Sequence, residues 1–231
     1  MNKVLMLNLE FEYGGETKTL HPVVLIGGGD VVLVDCGYAG FLPLIEAQLL
    51  LNNIEPSSLT KIFITHHDDD HMGALYEIKQ KYPHVKVIAH VPEVDYISGI
   101  KKSLRLQQAE KLLETMPEDQ KAFGEGFCEQ LRRLKPVAVD GIVYDGEILN
   151  WAGGCEVIAT PGHMPGHASL YLNHFKAVIT GDAAVVDQGH LIIANPHYTL
   201  DIEMAKASLE KLKSLNAVVY YAFHGGELTI I

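Results

Sequence analysis

Residues 61–73 read KIFITHHDDDHMG. The opening KIFIT is a short, apolar, β-branched run of the kind that forms a strand. It leads straight into three histidines and three aspartates, His66 to His71. Crowding acidic groups in a chain whose formal net charge is already -11 makes sense if a cation sits among them. In an extended segment residues two apart point the same way, so His66 and Asp68 converge on one side. Asp70 and His71 turn toward another side as a helix begins. Imidazole and carboxylate are ligands of zinc, iron and manganese. His67 and Asp69 alternate away from them and are expected to face solvent. One loop rarely closes a site, so further ligands are expected from TPGHMPGH (160–167), TGDAA (180–184) and FHGG (223–226). Each is a strand end followed by glycine or proline and a His or Asp, where a sheet scaffold places chemistry.

The surrounding pattern supplies that scaffold. PVVLI and VVLVDCG, joined by the turn GGGD, form a hairpin signal. PLIEAQLLLNN has helical spacing, with Leu42, Ile45, Leu49 and Leu50 apolar. Met72 to Tyr82 predicts a helix stopped by Pro83, with VKVIA as the next strand. From about 92 to 136 charged and apolar residues recur at helical spacing, and this stretch is a helical insert. Strands resume in GIVYDGEILN, with a DG turn, and in CEVIAT, ASLYL and AVIT. Helix DIEMAKASLEKLKSL then leads to a last strand, AVVYYAF. Strands and helices alternate in two blocks, each closing on a histidine-bearing loop. The expected fold is α/β (α+β), a four-layer αββα sandwich spanning residues 1–231 as a single domain with the insert.

Composition narrows the function. The chain has 231 residues, 48% of them hydrophobic, enough for a sizeable core. No run of eighteen apolar residues occurs, so no membrane span is expected. The N-terminus reads as a first strand rather than a signal peptide. Cys36, Cys128 and Cys155 are odd in number, widely spaced and without CxxC, the usage of a reducing, cytoplasmic compartment. The acidic balance argues against nucleic acid. The expected partner is a small-molecule substrate.

THHDDDHMG, TPGHMPGHAS, ITGDAA and FHGG, in this order and spacing, resemble the metallo-β-lactamase superfamily. The resemblance runs from HPVVLIGGGDVVLVDCG to FHGG, nearly the whole chain apart from the insert. It implies the αββα fold and a dinuclear metal centre. Carried over by motif, His66, Asp68 and His163 hold one metal, and Asp70, His71 and His224 the second, with Asp182 as the bridge. The family's first motif is usually HxHxDH; here Asp68 stands where the second histidine does, a harder ligand that shifts preference from zinc toward manganese or iron. The resemblance also implies that His167 supports the site without binding metal. Asp35, in LVDCG, is either an acceptor orienting a ligand histidine or a strand-end turn residue. His197 and Tyr198 are expected at the start of a helix, with a substrate role as the alternative for Tyr198. His21 is a candidate pocket residue, Trp151 a core residue.

The function expected is hydrolysis of a small ester, lactone or thioester by a metal-bound hydroxide, with Asp70 and Asp182 catalytic and two divalent ions, zinc first, as cofactors. An iron-dependent thiol or persulfide dioxygenase and a non-catalytic metal-containing binding protein are the alternatives. The insert, with Tyr96 and Leu104, is expected to form a lid over the metals.

Overall fold

The computed structural model of the protein describes residues 2–230. The first half contains β1 (Lys3–Met6), β2 (Leu9–Tyr13), β3 (Glu16–Leu20), β4 (Val23–Gly27), β5 (Asp30–Val34), α1 (Leu42–Leu51), β6 (Lys61–Ile64), α2 (Asp69–Met72), α3 (Leu75–Lys81) and β7 (Lys86–His90). The insert follows as α4 (Val94–Ile97), α5 (Leu104–Thr115) and α6 (Glu118–Arg133). The second half contains β8 (Gly141–Val143), β9 (Ile148–Leu149), β10 (Cys155–Ala159), β11 (Ala168–Leu172), β12 (Ala177–Gly181), β13 (Val185–Asp187), β14 (His190–Ile192), α7 (Ile202–Ser214), β15 (Val219–Ala222) and β16 (Gly226–Thr229).

Two six-stranded sheets result, in the orders β1-β4-β5-β6-β7-β8 and β16-β15-β12-β11-β10-β9. Side-chain alternation along each strand decides which layer a residue enters. Phe63, Val32 and Val34 of the first sheet meet Val157, Leu170 and Ile179 of the second in one buried core. Their neighbours Ile62, Ile64 and Leu33 point the other way, onto Ile45 and Leu49 of α1 and Leu75 and Ile78 of α3. Ile158 and Val178 pack outward on Leu209 and Leu212 of α7. These three cores between four layers make the αββα sandwich. Each such aliphatic side chain contributes roughly 1.5–3 kcal/mol through burial. Leu106, Ala109, Cys128 and Leu131 form a fourth, small core inside the insert. No helix among the described residues is long and apolar enough to cross a membrane.

Three local expectations change. The helix expected over Met72–Tyr82 is two helices separated at Gly73 and Ala74. A Cβ at Gly73 would lie 2.4 Å from the backbone of Ala39 and of Asp69, so the chain passes here only with glycine. The DG turn does not close a hairpin: β8 ends the first sheet and β9 the second, so this segment crosses between layers. The hairpin of β13 and β14 and the return strand β16 are additions; Gly225 and Gly226, both at positive φ, make the last turn possible.

Candidate metal centre

Five strand ends meet at one edge of the sandwich. Asp35 follows β5, His66 to His71 follow β6, His163 follows β10, Asp182 follows β12 and His224 follows β15. The seven residues His66, Asp68, Asp70, His71, His163, Asp182 and His224 are brought together there. Three groups have donor atoms all within 4.8 Å of one another: His66, Asp68 and His163; His66, His71 and Asp182; Asp70, His71 and His224.

Hydrogen bonds behind the histidines set which nitrogen faces inward. Thr65 donates its N–H and O–H to Asp35 at 2.9 and 2.8 Å. The Thr65 oxygen, its proton committed, accepts from His66 Nδ1 at 3.0 Å, and Asp35 accepts from His71 Nδ1 at 2.8 Å. The Nε2 atoms of His66 and His71 are therefore turned toward the centre. Both are buried without a hydrogen-bond partner, as is Asp182 Oδ1. Asp35 is thus an orienting acceptor, held at φ 60, a left-handed conformation that a non-glycine residue adopts at a cost. His167 accepts the Asp182 N–H through Nε2 at 2.9 Å, while its Nδ1 lies 2.8 Å from the Thr160 hydroxyl. Gly181, at φ 53, lets this turn form, since a Cβ there would strike the His167 ring at 2.5 Å.

Electrostatics point the same way. Burial opposes a charge on His71, but Asp70, Asp182 and Asp35 outweigh it and hold its pKa well above the ordinary histidine value. Burial likewise opposes a charge on His224, which Asp182 and Asp70 raise. Burial, with His71 beside it, pushes His66 down to about 3 and keeps that ring neutral. The Asp70, His71, Asp182 and His224 donors stand 3.1 to 3.8 Å apart across their named pairs. Ligands about 2.1 Å from one ion stand roughly 3–3.4 Å apart. The His71 to Asp182 and Asp70 to His224 pairs lie in that range and the other two are a few tenths of an ångström wider, a near fit for a divalent metal, which would draw them in. Unpartnered inward-facing donors and a local demand for positive charge are the observations behind that fit.

His67 and Asp69 are buried, against the expectation that they face solvent. Alternation does turn both away from the ligands, but the insert covers that side. The His67 N–H donates to Glu93 at 2.9 Å, its Nδ1 also meets that carboxylate, and its Nε2 accepts from the Leu104 N–H at 3.2 Å. The Tyr96 ring stacks on it at 4.4 Å. Tyr96 and Leu104 therefore staple the insert to the loop. Asp69 accepts from Gln130 of α6 at 2.7 Å. Burial and the neighbouring Asp70 and Asp68 carboxylates push Asp69 up to about 7. Its stability contribution is present below the ordinary carboxylate range and is lost as pH rises through about 7. Asp69→Asn, which still accepts from Gln130, should raise the melting temperature of the chelated protein at pH 8. The gain should shrink toward pH 4; a gain of equal size at both ends would show that charge is not its cause.

Arg105 of α5 was not anticipated. It is 2% exposed and forks Asp68, with Nε 3.1 Å from both carboxylate oxygens. The signal lay in position: Arg105 shares the buried face of α5 with Leu106 and Ala109. A cation on the apolar face of a helix needs an acid opposite. Tyr198 lies before α7, as expected, and its side chain also faces the centre: the Arg105 guanidinium stands 5.3 Å from its ring. His21 packs beside the Gly226 turn and bonds Asn8 at 2.9 Å; it is not part of the cavity wall. Trp151 is core.

The centre forms the floor of a cavity of about 400 Å³, walled by Tyr38, Phe123, Phe127, Asn195 and Tyr198. A groove of about 500 Å³ adjoins it, sharing Tyr13, Tyr38, Asp69 and Gln130.

A sandwich of two sheets between helices, with a His/Asp centre at the strand ends, defines the class of protein. The metallo-beta-lactamase superfamily profile matches residues 17–224, and the chain belongs to that superfamily. It is 26% identical over 209 residues to the probable metallo-hydrolase YflN of Bacillus subtilis, covering 86% of this chain and 76% of that one. It is 29% identical over 192 residues to the hydroxyacylglutathione hydrolase GloC of Haemophilus influenzae, covering 80% and 78%. Among solved structures, a metallo-beta-lactamase family protein from Thermus thermophilus superposes with TM-score 0.74 at 25% identity, over 98% of this chain and 74% of that one. The FEZ-1 metallo-beta-lactamase of Legionella gormanii shares the fold at TM-score 0.65 and 20% identity, over 96% and 76%.

Proposed function

We propose that the protein is a metal-dependent hydrolase of a small ester, lactone or thioester. The observation that carries this reading is the set of inward-facing, unpartnered Nε2 and Oδ1 atoms of His66, His71 and Asp182, of which Asp182 lines, with Asp70 and His224, the floor of an aromatic-walled cavity. Asp70, His71, Asp182 and His224 would hold a divalent ion there, zinc first, with manganese or iron as alternatives. Such an ion supplies Lewis acidity and an activated water. Asp182 spans the centre: Oδ1 faces His71 at 3.2 Å and His224 at 3.6 Å, and Oδ2 faces His163 at 3.5 Å. Asp70, partly exposed to the cavity, can take a proton from attacking water at its carboxylate. Phe123 and Phe127 of the insert and Tyr198 exclude bulk solvent and contact the apolar part of the substrate. The three free, buried cysteines support a reducing, cytoplasmic setting.

Zinc- or manganese-loaded protein should hydrolyse members of a panel of thioesters, medium-sized lactones and activated aryl esters, and solvent oxygen should enter the acid product. Thioesters come first because one relative is named a hydroxyacylglutathione hydrolase. Chelation should abolish turnover and lower the melting temperature. Incorporation of oxygen from dissolved O₂ would move the assignment to a dioxygenase; bound metal without turnover would move it to a binding protein. Phe127→Ala should change KM or substrate preference several-fold at unchanged metal content. Parallel loss of metal would show that Phe127 supports the centre rather than the substrate.

A further inference from the structure

The Asp68 side of the centre is closed by a guanidinium. Arg105 Nη2 lies 2.5 Å from Asp68 Oδ2 and 3.1 Å from His163 Nε2. Nε faces both Asp68 oxygens, and Nη1 donates to the Tyr198 carbonyl at 2.6 Å and to Gln108. A guanidinium has five N–H bonds, and all three of its nitrogens face polar partners here. This is a built site and not a side chain resting against an acid.

We propose that Arg105 replaces the first of two metal ions. Its guanidinium takes the charge of that ion and the donors of Asp68 and His163, leaving His66 Nε2 as a lone donor of the set, so the centre binds a single divalent ion at Asp70, His71, Asp182 and His224. The inference rests on the metal-dependent reading above and changes its stoichiometry.

Spacing alone does not separate the two sets. His163 Nε2 and His66 Nε2 lie 3.0 and 3.4 Å from Asp68 Oδ2, distances that would also suit an ion. The difference is what already occupies the lone pairs. His163 Nε2 either accepts a hydrogen from Arg105 or donates its own to Asp68. In neither tautomer is the pair free for a metal. Asp68 Oδ2 is engaged by two nitrogens of the same guanidinium. His66 Nε2 keeps no hydrogen-bond partner, but one nitrogen does not make a site. In the other set both His71 Nε2 and Asp182 Oδ1 are buried without a partner, and no lysine or arginine side chain among the described residues reaches them.

Charge closes on the same answer. The three inward-facing carboxylates, Asp68, Asp70 and Asp182, carry three negative charges, and Arg105 with one divalent ion supplies three positive ones; Asp35, behind His71, lies outside this set. A second divalent ion would leave a surplus of two charges and place itself against a buried cation, where screening is weak. The replacement of the commoner histidine by Asp68 then has a reason. A guanidinium needs a carboxylate to fork, and an imidazole offers it a single acceptor.

The test is metal stoichiometry, read by elemental analysis, by titration of the chelated protein with Zn²⁺, and by the electron paramagnetic resonance of Mn²⁺-loaded protein. Wild type should hold about one ion per chain, with the spectrum of an isolated Mn²⁺. Arg105→Met should raise the count to two and give the spectrum of an exchange-coupled pair. Asp68→His with Arg105→Met leaves three imidazoles and no unpaired buried charge. It should also bind two, and it serves if the single variant fails to fold. Two tightly bound ions in wild type, or one in the folded double variant, would overturn the inference while leaving a metal-dependent hydrolase intact. No bound ion in wild type would overturn both.

Discussion

Asp182→Asn should lower hydrolysis by on the order of a hundredfold or more, the scale of loss when a key electrostatic element of a site is removed. The Asp182 carboxylate faces three histidines, His71, His224 and His163, within 3.6 Å. Its pKa is held well below the ordinary carboxylate value, burial being outweighed by His224 and His71. An amide keeps the shape and loses the charge, so metal affinity should fall together with kcat. Its position should not change, because the backbone N–H still donates to His167 at 2.9 Å. Exposed Asp187→Asn, on the neighbouring hairpin, is the control and should cost little. Steady-state kinetics at saturating metal decide the matter. Activity within threefold of wild type would remove Asp182 from the catalytic machinery.

Arg105→Met should destabilise the chelated protein by about 3–5 kcal/mol, the cost of stranding one partner of a buried ion pair. In a chain of this size that is a fall in melting temperature on the order of 10 °C. Asp68 is 5% exposed and would keep only histidine partners. Arg105→Lys should lie between, because an ammonium retains charge without the planar fork. Adding Asp68→Asn to Arg105→Met should recover much of the loss, and the double-mutant cycle isolates the pair. Urea denaturation measures each variant. A loss below about 1 kcal/mol would place Arg105 among ordinary surface ion pairs.

The local periodicities carried most of the architecture. Alternation along KIFI, PVVLI and VVLVDC assigns each side chain to a layer, and the helical spacing of Ile45 with Leu49 marks the face of α1 that is buried. The ligand-bearing loops could be named because their chemistry is concentrated within a few residues each and because strand ends converge by topology. What the chain did not show was which loop residues the insert covers and which charge pairs with which. His67 and Asp69 point away from the ligands as alternation requires, yet they are buried because α4, α5 and α6 fold back over them. The DG turn between β8 and β9 is present, and its two strands find partners in different sheets. Arg105 is 37 residues from Asp68, and although its place on the apolar face of α5 calls for an acid, the linear chain does not say which one. Short-range order in the chain was enough to name the candidate ligand loops and the layer that each strand side chain enters. Tertiary structure alone decided which buried charges are paired. Pairing depends on distance in space, and a buried carboxylate has a different fate beside a guanidinium than beside an open site for an ion.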